Sequence, residues 1–145
     1  MSTRPKWQQC GRISLWRYTE NERNFSGWHL NADAEGCASL LSLLDALESS
    51  PGEYRTVRIT APTAAVLRVP NNRGGRAAWL APAKLRLCCS PVQACWVFPL
   101  DLDPASLTVG ADWLPRLREG IGGIPEGGGD YSIGSDAEPS LWFWW

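Results

Sequence analysis

The chain has one histidine, and a nucleophile–base pair with a serine or cysteine would have to use it. His29 stands in Gly27-Trp28-His29-Leu30. Joined to a serine or cysteine, it would give a nucleophile and base, the minimum of a small hydrolase. No Gly-x-Ser-x-Gly elbow accompanies it. His29, Asp33 and Cys37 are close in sequence, but the first reads as strand and the last as helix. A metal needs about three or four ligands converging on one point, and this spacing fits no zinc pattern. The five cysteines, at 10, 37, 88, 89 and 95, contain no Cys-x-x-Cys pair. They read as small buried hydrophobes and free thiols. The carboxylate pairs Asp101/Asp103 and Asp136/Glu138 flank prolines, where acids cap turns or are solvated. A general acid and base is the alternative reading of each pair. The glycines from Gly120 to Gly129 lack the Gly-Lys-Ser/Thr ending of a phosphate loop and follow a helix instead of opening one. They read as a connection. No assembled catalytic set emerges, and neither a metal nor a cofactor is called for.

The elements that must position these residues are organised around Ala34–Ser49. Cys37, Leu40, Leu41, Leu44 and Leu47 recur at helical spacing and predict a buried face. Asp33 is placed to cap the helix, and Ser50-Pro51-Gly52 stops it. Strands are expected on both sides. Before the helix come residues 13–18 and 28–31, joined by a polar loop over 19–27. After it comes 54–61, with Val57 and Ile59 inward and Tyr54, Thr56, Arg58 and Thr60 on a polar face. Ala64–Val69 reads as a short strand. Lys84–Cys89 reads as another, with Leu85 and Leu87 inward, and Cys95–Leu100 as its antiparallel neighbour. Ser106–Val109 is a short strand. Gly110–Ile124 is a weaker helix with Trp113, Leu114, Leu117 and Ile121 on its apolar face and Pro115 near its start. Tyr131–Ile133 and Leu141–Trp145 complete the strands. The last is too apolar to stand at an edge, so it is expected to be central or covered. The sum is one α+β domain over residues 1–145: a mainly antiparallel sheet of about six to eight strands with two helices packed on one face. Met1–Gln9 is polar and expected to be frayed, with Trp7 as a first anchor.

Charge is unevenly spread. The formal net charge of −1 gives no overall field for nucleic acid or membrane. Residues 54–100 carry Arg55, Arg58, Arg68, Arg73, Arg76, Lys84 and Arg86 and no acid, whereas residues 101–145 carry eight acids against Arg116 and Arg118. The expectation is that these segments lie together and neutralise each other. No apolar run makes a signal peptide or a membrane span, which, with the free cysteines, predicts a cytoplasmic protein.

Nine tryptophans are many for a chain of this length. Alternation puts Trp142 and Trp144 on one face of the last strand and Phe143 and Trp145 on the other. One face should be core and the other should meet a second layer.

Two stretches carry a family resemblance. One is Gly27-Trp28-His29-Leu30, Ala32-Asp33, the leucine helix and Arg55-Thr56-Val57. The other is Gly129-Asp130-Tyr131-Ser132-Ile133-Gly134 followed by Leu141-Trp142-Phe143-Trp144-Trp145. Together they resemble small bacterial proteins, some of which look like immunity proteins, the cytoplasmic antidotes of polymorphic toxins. The resemblance implies a non-catalytic module that occludes a partner protein, a cognate toxin among the candidates, and it transfers no catalytic residue. With it, Asp130, Tyr131, Asp136, Glu138 and Trp142 form the expected partner-binding set: aromatic anchors inside an acidic rim. The alternatives are a nucleic-acid-associated protein using the basic 54–86 segment, and a small hydrolase around His29.

Overall fold

The computed structural model describes residues 7–20, 26–127, 131–134 and 138–145. Most of the polar N-terminus, the middle of the loop after the first strand, Gly128, Gly129, Asp130 and Asp136 lie outside them. The architecture is α+β, with nine strands among the described residues divided between two sheets. The first sheet contains β1 (Ile13–Tyr18), β2 (Trp28–Ala32), β4 (Trp79–Leu80), β8 (Tyr131–Ile133) and β9 (Leu141–Phe143), in the order β4-β1-β2-β9-β8. The second contains β3 (Tyr54–Arg58), β5 (Lys84–Cys89), β6 (Trp96–Val97) and β7 (Ala105–Val109), in the order β3-β5-β7-β6. Pairing is mainly antiparallel, with one parallel pair in each sheet, β2–β9 and β5–β7.

This corrects the expectation of a single sheet. Because β5 takes β7 as a parallel neighbour, β6 lies beyond β7 and does not form a hairpin with β5. The apolar pattern of Cys95–Leu100 shows that the segment is part of the core, but alternation says nothing about which strand it joins.

The helix α1 (Ala34–Glu48) forms where the leucine spacing places it. Its buried stripe is Cys37, Leu40, Leu43, Leu44 and Leu47, while Leu41 is only partly buried. The helix is therefore rotated slightly from the expected orientation: the i, i+3, i+4, i+7 set starting at Leu40 faces inward. Asp33 caps it, with the carboxylate accepting from the Gly36 N–H at 2.7 Å and from the Arg12 N–H at 3.0 Å. The Arg12 N–H, and then that of Gly36, hold the Asp33 carboxyl below its ordinary pKa. A depressed carboxylate contributes stability that is complete above its ordinary value and is lost as pH falls through the lower folded value. Asp33→Ala should therefore cost about 1 kcal/mol at neutral pH. Asp33→Asn should retain most of the cap and flatten the acid side of the stability profile, as read by thermal melts on either side of the ordinary carboxylate pKa.

The second long helix, α3 (Leu114–Gly123), begins later than expected, behind a 3-10 turn at Ala111–Trp113, with Pro115 in its first turn. It crosses α1, and Arg118 ties the two by pairing with Asp45 at 3.0 Å and with Glu48. At Gly120 the helix meets β9: an added Cβ would lie 2.5 Å from the Phe143 ring. The close approach requires glycine there. Both helices and the inner faces of both sheets share one core, which runs from Ile13 and Leu15 through Leu43 and Leu44 to Leu87, Leu107, Leu117 and Phe143. Where they meet is an apolar void of about 20 Å³ between Leu40, Leu87, Phe98 and Leu117.

The opposite face of the five-stranded sheet carries a second core of Trp16, Tyr18, Leu67, Ala77 and Trp144. Its cover includes α2 (Ala64–Arg68), a helix where a strand is expected. Thr63 decides the difference locally, because its hydroxyl accepts from the Val66 N–H at 3.2 Å and caps the turn. Near the N-terminus, Trp7 is an anchor as expected, and Gln9 is held as well rather than frayed. The Trp7 indole donates to the Ser39 carbonyl at 3.0 Å, and the Gln9 amide exchanges two hydrogen bonds with the Arg58 backbone.

Candidate functional site

His29 lies on β2 between Trp16 of β1 and Trp142 of β9, in direct cross-strand register with both. The three rings stack across the sheet, at centroid distances of 5.6 and 6.3 Å from the imidazole. Trp144 stacks at 6.1 Å, and Tyr18 meets the imidazole edge-on at 4.8 Å. The Trp144 indole N–H donates to His29 Nδ1 at 2.9 Å. An indole nitrogen can only donate, so Nδ1 is the accepting, unprotonated nitrogen of the imidazole. His29 is 0% exposed. The packing makes it a member of an aromatic ladder closed to solvent, and a base needs access to a substrate proton. Burial, opposed in part by the neighbouring Trp16 side chain, pushes the Tyr18 hydroxyl up.

The thiols offer no ready nucleophile in the cores. Burial, helped by the Asp33 carboxylate, pushes Cys37 up to about 11, and burial with the neighbouring Cys88 does the same for Cys89. Both are protonated at neutral pH. All five cysteines are free. Among the described residues no group of three histidine, cysteine or acidic side chains could hold a metal.

Of the expected partner-binding set, the two aromatic members lie on opposite faces of the first sheet. Asp130 and Asp136 lie outside the described residues. Tyr131 sits opposite Phe143 and packs on the main core, on one face of the first sheet. Trp142 projects from the other face into the aromatic ladder, stacked on Trp144 at 5.9 Å, with its indole donating to the Ser26 carbonyl. Glu138 is half-buried and pairs with no described cation. Among the described residues, no acid of the C-terminal third forms an ion pair with the basic middle: Arg55 pairs with Glu53, Arg73 with Glu20, and Arg118 with Asp45 and Glu48. The basic strands join each other, and their charges turn outward.

That outward face is the arrangement the sequence left unassembled. Alternation on β3 and β5 sends Val57, Leu85 and Leu87 inward and leaves Tyr54, Thr56, Arg58, Lys84 and Arg86 exposed. The antiparallel register then sets the two strands side by side, with Tyr54 opposite Cys88, Thr56 opposite Arg86, and Arg58 opposite Lys84. The Arg86 guanidinium lies 4.4 Å above the Tyr54 ring, which fixes its direction. Ser106 and Thr108 of β7 and Val97 of β6 extend the same face. None of Arg58, Lys84 and Arg86 forms an ion pair among the described residues, and no acid stands on these four strands. Each strand shows its polar alternation in sequence. Their adjacency does not show there, because a helix and a long connection separate them. No helix among the described residues is long and apolar enough to cross a membrane. No protein-family model, curated protein or solved structure matches this chain.

Proposed function

We propose that this protein is a non-catalytic binding module that docks an acidic surface of a partner protein on the open face of β3 and β5. The observation that carries this reading is the set Arg58, Lys84 and Arg86: three exposed cations that, among the described residues, have no ion-pair partner and share a sheet face with no acid. Solvated antiparallel faces ordinarily mix both signs, and a face of one sign selects a partner of the other and speeds encounter with it. Tyr54, half-exposed and held under Arg86, supplies the aromatic contact that interface centres favour. The resemblance to immunity proteins points to a cognate toxin as the partner and to occlusion as the mechanism.

The test is co-purification from the native host, with the wild type and with a triple variant Arg58→Glu, Lys84→Glu, Arg86→Glu as bait. The exposed substitutions should leave the melting temperature nearly unchanged, within about 0.5 kcal/mol per site. The specific partner should be retained by the wild type and lost by the variant. Equal retention by both baits would overturn the proposed face. The same cations give a second reading, a phosphate-backbone contact. If a single-stranded oligonucleotide binds instead, its affinity should fall with salt with a log–log slope of roughly −2 for three contacts.

A further inference from the structure

At the far edge of the first sheet, remote in sequence from the basic face, a recess of about 310 Å³ opens beside β8. Among the described residues it is lined by Arg116 of α3, Tyr131, Ser132, Ile133, Gly134 and Ser140. We propose that this recess is a binding site for a small organic acid, with Arg116 receiving the carboxylate and the hydroxyl-bearing residues around it receiving the polar remainder.

Three features support this. The volume lies at the lower end of ligand pockets, which suits a metabolite rather than a chain. Arg116 is exposed and forms no ion pair among the described residues, yet its guanidinium is held 5.3 Å above the Trp113 ring. A guanidinium oriented in advance by an aromatic face loses less freedom on binding, and its planar fork matches a carboxylate in bidentate geometry. The wall opposite is held by a tight backbone approach. Gly134 has φ +151°, and an added Cβ would lie 2.9 Å from Ser140 Cα, so the ends of the β8–β9 connection are drawn together. That fixes Ser140 beside β8, and the Trp28 N–H donating to the Ser140 carbonyl at 2.8 Å fixes it to β2.

Among the described residues, the charge balance selects a single negative charge. Burial raises the Tyr131 hydroxyl pKa, the Glu119 carboxylate raises it further, and Arg116 lowers it. One guanidinium with an acid in the same neighbourhood suits a monoanion better than a phosphate dianion.

The experiment titrates benzoate, and separately inorganic phosphate, into the wild-type protein and follows backbone amide shifts by NMR. Benzoate should give saturable shifts at Ser132 and Gly134, with a dissociation constant of order 1 mM. Arg116→Gln, at an exposed position, should keep the melting temperature and weaken benzoate by roughly tenfold or more. Arg116→Lys should fall between, because it retains the charge and loses the fork. Non-saturating shifts, equal binding by Arg116→Gln, or tighter saturation by phosphate than by benzoate would each overturn the assignment. None of these outcomes bears on the basic face, which lies on the other sheet.

Discussion

Trp144→Ala should destabilise the protein by about 3–5 kcal/mol, among the largest effects expected of any single truncation. The side chain is 2% exposed and sits at the centre of the second core. It stacks on His29 at 6.1 Å and on Trp142 at 5.9 Å, and its indole N–H donates to His29 Nδ1. Its backbone is held as well: the N–H donates to the Leu30 carbonyl at 3.0 Å, and its carbonyl accepts from the Asn31 amide at 2.9 Å. Truncation would open a cavity between the sheet and α2 and remove the indole that donates to a buried imidazole. Trp144→Phe separates the two losses. It keeps a ring in the ladder and removes the donor, so it should cost about 1–2 kcal/mol. Urea unfolding measures both. A midpoint unchanged in Trp144→Ala would mean that the second core is an adornment of the sheet and not part of its cooperative unit.

The helix α1 yields the second large effect. Leu44→Ala should cost about 2–5 kcal/mol, since the side chain is fully buried where both sheets and both long helices meet. The same loss is expected for Leu43→Ala, also 0% exposed. Leu41→Ala should cost distinctly less, about 1 kcal/mol, because part of that side chain already faces water. The ordering matters more than any one value. Equal losses at Leu41 and Leu43 would put the helix in the rotation read from the sequence rather than in the one observed.

That rotation shows how far periodicity reaches. The spacing of five leucine and cysteine positions predicts the helix, with Asp33 as its cap, and both stand as expected. Leu40, Leu41, Leu43 and Leu44 crowd the helix so densely that two neighbouring stripes are equally apolar, and only the packing partner chooses between them. Strand alternation was similarly legible: β1 and β5 have the expected bounds, and Leu85 and Leu87 face inward. The terminal strand is internal, between β2 and β8, as its apolar content demands. The division into two sheets was not legible, because pairing partners are decided by long-range geometry that a period of two does not encode. The separation of two expected site residues has the same origin. Tyr131 and Trp142 read as one cluster in sequence, yet pairing of β8 with β9 sets them on opposite faces. Tyr54, Arg58, Lys84 and Arg86 read as two separate strands, yet register joins them.

The position of β9 has a consequence for how the chain is made. One of the three interior strands of the first sheet, β9, is the last of the described strands to leave the ribosome. Until Leu141–Phe143 emerges, β2 can pair with β1 but has no partner on its other side. The stacked rings of Trp16 and His29 then await Trp142 and Trp144. Pairing across more than a hundred residues is slow to nucleate, and an open edge with apolar faces is the site at which nascent chains associate. Closure of both cores therefore waits for Leu141–Trp144, and a nascent chain that has not yet exposed them would present the β2 edge to chaperones and proteases.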